Sequence, residues 1–298
     1  MAPTIPLHSI LHSILARDVV TQSLGLDAAA AVEEARALGR EALGAARGIE
    51  PAYATSVCDR AIAVLMPLGP SETLADVLRW KGSILRDVGQ HTDASDCYAE
   101  SLAVADAIAY KLGRAHALNC FGTIAQFHGD LKAAQRWYLS AQQLAVELGD
   151  QRLLGMLEQN LGIIKATKGK WTEALIHFQG ALAAFELAGE KHPLIWVLNN
   201  LGKVYTREHT HDLAAQALDR ALRIACELGD AASEAIVEEN RARLFLVTGI
   251  WTRRKKPRHV RSASPSSAAT ERARQLRSTC WAGSRVCAIA CRRKSSRS

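Results

Sequence analysis

A spacing of 40 residues recurs along the chain and constrains its fold more than any other feature. Four copies each carry a glycine, a turn residue seven positions later, an alanine twelve positions later and a bulky apolar residue sixteen positions later. The four columns are Gly82, Gly122, Gly162 and Gly202; Gly89, Gly129, Gly169 and His209; Ala94, Ala134, Ala174 and Ala214; and Tyr98, Tyr138, Phe178 and Leu218. Self-similarity at one fixed period is typical of solenoids, in which each unit packs on its neighbours.

The residue pattern of each unit predicts two helices, which we call A and B. Small and apolar residues recur at helical spacing, and no segment shows the alternation of polar and apolar residues that is typical of a strand. Glycines end most helices, as expected for C-caps. In the second unit we expect helix A over 72–88 and helix B over 91–111, with the next unit starting near Arg114. Small residues that face each other should set the packing within a hairpin, while the bulky residue fills the space between hairpins. The fold class expected is all-α, a right-handed superhelical solenoid of antiparallel helix pairs.

Composition divides the chain into three predicted segments. Residues 1–27 do not match the repeat and are expected to form a capping helix, and residues 28–251 form the repeat domain with a degenerate first unit. Residues 252–298 contain 14 of the 37 Lys and Arg residues but one acid, and we expect disorder there. The net charge of +7 therefore comes from this tail, and residues 1–251 carry about −6.

The sixth unit stops after its helix A. Arg254 and Arg258 take the places where the small and the bulky residue of helix B are due. This predicts five hairpins and one unpaired helix A, through which the protein could self-associate. An out-of-frame or truncated coding sequence is an alternative explanation of the tail.

The repeat resembles the tetratricopeptide repeat, whose small and aromatic positions are filled by Leu161, Gly162, Gly169, Ala174, Phe178 and Ala181. The period of 40 resembles the longer-helix subclass of kinesin light chains and of bacterial regulator repeat domains. Lys165 and His209 depart from the family pattern, which usually has an apolar residue and a glycine there. The resemblance implies a non-enzymatic scaffold that binds a protein or peptide in a concave groove lined by helix A, in a regulatory or signalling setting.

The candidate binding residues lie on helix A beside the repeated glycine. The family resemblance implies that Asn160, Asn200 and Asn240 contact the main chain of a bound peptide, since an amide both donates and accepts hydrogen bonds. The cations favour an acidic peptide or a C-terminal carboxylate. The full predicted site comprises Asn119, Asn160, Asn199, Asn200, Asn240, Lys203, Arg207 and Trp196. Alternatively, the amides bond neighbouring A helices, the cations are solvated and Trp196 packs between units.

Other classes of function lack the motifs they require. No phosphate-binding loop or nucleophile elbow is present, so we expect neither an enzyme nor a cofactor. His209 and His211 have no third ligand nearby in sequence, and Cys280, Cys287 and Cys291 lack paired spacing, so no metal site is expected. Without a signal peptide or a run of about 18 apolar residues, the sequence predicts a cytoplasmic protein away from membranes. The alternative function is association with nucleic acid through the basic tail.

Overall fold

The computed structural model describes residues 51–249, together with residues 30, 33, 34, 37 and 38. Ten α-helices and one short 3-10 helix, Met66–Leu68, account for nearly all of residues 51–249, and this range contains no strand. The helices are α1 (Pro51–Leu65), α2 (Glu72–Asp87), α3 (His91–Ala107), α4 (Lys111–Phe127), α5 (Leu131–Leu148), α6 (Gln151–Thr167), α7 (Trp171–Leu187), α8 (Lys191–Arg207), α9 (His211–Leu228) and α10 (Ala231–Thr248). The predicted capping segment 1–27 and tail 252–298 lie outside the described residues.

Helices pair in the order in which they follow one another. One compact unit, residues 1–150, contains the hairpins α2–α3 and α4–α5, and α1 packs on α2. The second, residues 151–298, contains the hairpins α6–α7 and α8–α9, and α10 packs on α9. Turns of three residues join the two helices of each hairpin, which forces them to run antiparallel. The predicted all-α class of antiparallel helix pairs is confirmed.

One helix boundary differs from the prediction. Helix α3 ends at Ala107 rather than near Lys111, and Lys111 already begins α4. The break is made by Ala109, whose φ of 56° is left-handed, where the later units have glycine. His209 likewise adopts a φ of 58° in place of a glycine. The break at Ala109 could not be predicted from the sequence, because alanine is a strong helix former that rarely adopts a left-handed conformation.

The bulky residue of helix B packs onto the glycine of its own hairpin, which corrects the expected location between hairpins. An ideal Cβ added to Gly162 would lie 2.7 Å from the Phe178 ring, and one added to Gly202 would lie 2.5 Å from Leu218. Gly82 with Tyr98 and Gly122 with Tyr138 repeat the contact. Glycine is therefore required because its missing side chain provides the space for the ring.

In a second contact between the two helices of a hairpin, one residue is small and the other is large. The helix that carries the large residue differs between one hairpin and the next. In α6–α7 a Cβ on Gly155 would lie 2.8 Å from the Phe185 ring. In α8–α9 the corresponding residues are Ile195 and Ala225, and both are fully buried. Large and small have changed helices, which keeps the interior filled at close to constant volume. No fixed column marks this pair, and so the sequence analysis missed it.

Ion pairs occupy the first and the last helix junction within residues 51–249. Lys81 on α2 lies 2.7 Å from Asp59 on α1, and Arg241 on α10 lies 2.9 Å from Asp219 on α9. The two pairs are 160 residues apart in sequence, and hence equivalent in the repeat. At the same register α6 and α8 carry the buried leucines Leu161 and Leu201.

Candidate peptide-binding face

Four of the predicted site residues share one face of α8. Trp196, Asn200, Lys203 and Arg207 follow one another at steps of four, three and four residues, which aligns them along the helix. Gly202 points about 100° away from Lys203, toward α9, because each helical residue turns by that angle. Lys203 and Arg207 are exposed, while Trp196 and Asn200 are half-buried. We call these four residues the α8 face.

Asn200 differs from the other asparagines of the predicted site. Its amide is half-buried and forms no hydrogen bond with any side chain or main-chain group of the described residues. An amide has two donor hydrogens and two acceptor lone pairs. Asn200 can therefore pair with both the N–H and the C=O of an extended main chain laid across α8.

Asn199, the preceding residue, is engaged within the protein. The Nδ2 of Asn240 on α10 donates to the Oδ1 of Asn199 at 2.7 Å, and it also lies 3.3 Å from the carbonyl oxygen of Ile236. The Asn199 side chain is almost completely buried, with 4% exposure. This amide pair links the A helices α8 and α10. The sequence analysis gave such bonds between neighbouring A helices as the alternative to peptide binding.

The remaining two asparagines lie on different A helices. Asn160 is half-buried on α6 and interacts with another group of the protein, as does Lys203 on α8. Asn119 is buried on α4, and its main-chain carbonyl accepts a hydrogen bond of 3.1 Å from the Thr123 hydroxyl. Since α4 belongs to the other compact unit, the structure brings together the predicted residues of α6, α8 and α10 within a single unit but not Asn119.

Aromatic residues support both ends of the α8 face. The guanidinium carbon of Arg207 lies 5.4 Å from the centroid of the Trp171 ring, a cation–π distance. At the other end, the His192 and Trp196 rings are 6.5 Å apart, and His192 Nε2 lies 3.1 Å from a carboxylate oxygen of Asp230. Trp171 was missed by the sequence analysis because it belongs to the preceding helix B.

A repeated spacing is the signal that would have found Trp171. Trp171 precedes Arg207 by 36 residues. In the compact unit of residues 1–150, His91 precedes Phe127 by the same number, and the His91 and Phe127 rings are 3.9 Å apart. In both cases the first residue of a helix B packs against the end of the next helix A. The orientation of Arg207 is therefore set by the preceding hairpin.

The α8 face is cationic because it carries two positive side chains and no acid. Elsewhere the cations of the A helices are neutralised: Arg243 on α10 lies 3.1 Å from Glu239, and Arg79 and Arg86 on α2 lie 2.9 and 2.7 Å from Asp76 and Asp87. Arg207 is in no ion pair with a described residue. A carboxylate arriving at the α8 face would meet, in Arg207, a charge that no described acid balances.

Two further features concern metals and membranes. His209 and His211 lie with ring centroids 5.8 Å apart, and within residues 51–249 no group of three or more His, Cys, Asp or Glu side chains is placed to hold a metal ion. None of the described helices is both long enough and apolar enough to cross a membrane.

The paired helices with a polar face on helix A define a helical-repeat protein of the solenoid class. Residues 153–227 match the family model described as tetratricopeptide repeat. Together with the helix pairing, this match confirms the tetratricopeptide-type repeat that the sequence resemblance predicted, over residues 153–227. A search of curated protein sequences finds no match.

Solved structures share the fold at low sequence identity. A Rap protein complexed with Competence and Sporulation Factor is 16% identical with a TM-score of 0.65, over 85% of this chain and 66% of that one. Aspartyl phosphate phosphatase F from Bacillus subtilis is 14% identical with a TM-score of 0.62, over 74% and 58% of the two chains. BtubC from P. vanneervenii is 16% identical with a TM-score of 0.54, over 81% and 99%. The chain thus spans about three fifths of the length of the phosphatase.

Proposed function

We propose that this protein is a non-enzymatic scaffold that binds an extended peptide, or an extended segment of a protein, across its A helices, and that it acts as a regulatory or signalling adaptor. The observation that carries the proposal is the Asn200 amide, which has no partner in the described part of the protein and lies between Trp196 and Lys203. Asn160 and Asn240 extend the same column of amides onto the neighbouring A helices of the unit.

The α8 face contains the three kinds of group that an extended peptide requires. The Asn200 amide pairs with main-chain groups and is therefore indifferent to the peptide's sequence. Trp196 offers an aromatic surface for one apolar side chain. Lys203 and Arg207 attract carboxylates, and the planar guanidinium of Arg207 can bind one with two parallel hydrogen bonds. The preferred ligand is an acidic peptide or the C-terminal carboxylate of a partner protein.

The fold comparison gives independent support for a peptide ligand. One of the similar structures is the Rap conjugation gene regulator of the plasmid pLS20 in complex with the Phr* peptide, with a TM-score of 0.60 at 16% identity. That protein shows that an array of this fold can accommodate a peptide. For the present chain the ligand is inferred from the α8 face.

Cytoplasmic action is part of the same proposal. The described cysteines, Cys58, Cys97, Cys120 and Cys226, are all free thiols. Proteins of oxidising compartments usually pair their cysteines. Burial also raises the pKa of Cys58 and Cys97 to about 11, which keeps these thiols protonated and unreactive.

A selection from a random peptide library against the full chain tests the proposal. Selected peptides should be enriched in Asp and Glu or require a free C-terminus. Asn200→Ala and Lys203→Glu should each weaken their binding about tenfold or more, as loss of one buried or charge-assisted hydrogen bond does. Arg223→Ala removes an exposed cation from helix B of the same hairpin and is the matched control. Equal losses for all three variants, or none for Asn200→Ala, would contradict the proposal.

A further inference from the structure

Helix α10 exposes the face that α8 buries. Ala235, Glu238, Ala242 and Leu246 are spaced along one side of α10 and are all exposed, with Leu246 at 73%. We call these four residues the outer face of α10. Their counterparts 40 residues earlier include Ile195, Leu198 and Gly202, which are buried against α9. The outer face is therefore the surface on which a helix B packs in the preceding unit.

The following sequence lacks the small and the bulky apolar residue that such a helix B carries. In α9 the covering residues are Ala214 and Leu218, and the positions 40 residues later are Arg254 and Arg258. Arginines at these two places would lose their hydration beside Ala242 without an apolar contact in return, and Glu238 of the outer face is already paired with Arg241 at 2.8 Å. Another occupant is needed to cover the outer face.

The outer face also differs chemically from the glycine-bearing faces of the preceding A helices. Ala242 stands where those helices have glycine, and at Gly202 a Cβ would lie only 2.5 Å from the bulky residue of helix B. A helix that presents a large residue to Ala242 therefore cannot approach α10 as closely as α9 approaches α8. The occupant must have a small residue facing Ala242, and α10 itself meets this requirement.

We propose that the outer face pairs with the outer face of a second copy of this chain, the two α10 helices running antiparallel. Glu239 and Arg243 flank the outer face on one side and lie 3.1 Å apart within the helix. A two-fold axis at the level of Arg241 places Glu239 of each copy opposite Arg243 of the other. The same axis interleaves the small residues of one copy with those of the other, and brings Leu246 level with Ile236 of the second copy.

The contact is self-complementary, as an isologous two-fold interface must be. Each copy contributes one positive and one negative group to the same edge, so two ion pairs form across the axis. A single pair of 18-residue helices covers less than the roughly 1,200 Å² of standard interfaces. We therefore expect a weak dimer that forms at micromolar or higher protein concentration.

Sedimentation velocity of the full chain under reducing conditions, over about a hundredfold range of concentration, tests this pairing by mass action. The protein should shift from monomer to dimer. Glu239→Arg and Arg243→Glu should each remain monomeric, because each brings like charges together across the axis. An equimolar mixture of the two variants should dimerise again, since each Arg then meets a Glu of the other chain. Ala242→Lys should abolish association in any mixture.

Each alternative occupant gives a different result. If residues 252–298 cover the outer face, the full chain stays monomeric at all concentrations and Ala242→Lys lowers its melting temperature. If only a foreign helix binds there, the protein is also monomeric but Ala242→Lys leaves its melting temperature unchanged. Either result overturns the dimer, and so does a mixture of the two charge variants that fails to associate. Peptide binding at the α8 face is independent of these outcomes.

Discussion

The ring of Phe178 lies 2.7 Å from the position that a Cβ would take on Gly162, so the ring and any larger residue at that position compete for one space. We expect Gly162→Leu to lower the free energy of unfolding by about 1–3 kcal/mol or more, as overpacking of a filled core does. Urea denaturation followed by circular dichroism measures the change. Combining the substitution with Phe178→Ala should recover part of the loss, because the ring is the obstacle.

Gly180 provides a matched control in α7. A Cβ there meets no atom nearer than 3.5 Å, and the nearest belongs to the Glu158 side chain. Gly180→Ala should stabilise the protein by about 0.5–1 kcal/mol, because alanine is the better helix former. If Gly162→Ala and Gly180→Ala changed stability alike, steric conflict with Phe178 would not be the reason for the repeated glycine.

Ala109 is the second position where backbone conformation predicts a gain. Its φ of 56° costs about 1–2 kcal/mol for an L-residue, whereas glycine adopts it without strain. Part of the gain is lost because glycine has more freedom in the unfolded chain, so Ala109→Gly should raise stability by about 0.5–1 kcal/mol. Thermal unfolding checks this, and Ala107→Gly, at the last residue of α3, should instead destabilise.

Neighbouring asparagines on α8 should respond oppositely to truncation. Asn199→Ala removes the acceptor of Asn240 inside a buried contact and should cost about 1–2 kcal/mol of stability. Asn200→Ala removes no hydrogen bond within the described protein, so unfolding should be nearly unchanged while peptide binding weakens, the more so with Asn160→Ala. Paired melting and titration calorimetry experiments measure the two effects. A large loss of stability in Asn200→Ala would assign that amide to packing.

Arg241 is a buried cation at the position where α6 and α8 have leucine. It is 6% exposed and pairs with Asp219 and with Glu238 at 2.9 and 2.8 Å. Replacing a buried ion pair by apolar residues is often neutral or stabilising, whereas removal of one partner is costly. Arg241→Leu with Asp219→Leu should therefore leave stability near that of the parent, while Asp219→Ala alone should lose about 1–3 kcal/mol. Denaturation of the parent and of these two variants decides between the expectations.

Glu173 gives a pH-dependent prediction. A hydrogen bond from Lys165, reinforced by one from Lys170, lowers the pKa of this carboxyl to about 2 from its ordinary value of 4.5. The folded state then prefers the ionised form, so the stabilisation is present above the unfolded pKa and is lost as pH falls from about 4.5 to about 2. The stability difference between parent and Glu173→Gln should shrink over that range and with added salt, since 43% of the Glu173 side chain is exposed. A difference that stayed constant from pH 7 to pH 3 would contradict the assignment.

The periodic part of the sequence predicted the periodic part of the structure. The columns of Gly162 and Phe178 recur at one spacing, so they revealed the helix pairs and the contact face, although the direction in which the ring packs depends on tertiary geometry. The contacts that change between units were not predictable in this way. The Gly155–Phe185 and Ile195–Ala225 pairs compensate each other in volume without repeating any residue type, and Ala109 adopts a conformation that its identity disfavours.

In the candidate site, too, the features that repeat were predictable from the sequence and those that do not repeat were not. The position of Asn200 on helix A could be read from the register, but the separate environments of Asn199 and Asn200 depend on a hydrogen bond to α10 that no spacing indicates. The dependence of Arg207 on Trp171 likewise appears once the neighbouring hairpin is in place.

The ion pairs of Lys81 with Asp59 and of Arg241 with Asp219 have a consequence for how such a chain can evolve. Apolar junctions such as those at Leu161 and Leu201 are nearly interchangeable, so duplication or loss of a 40-residue segment leaves a compatible join. A recombination that moved Lys81 or Arg241 beside a junction built for leucine would bury a cation with no counterion. Charge at the first and the last junction within residues 51–249 therefore restricts which units can stand there, while the number of units between them is free to vary.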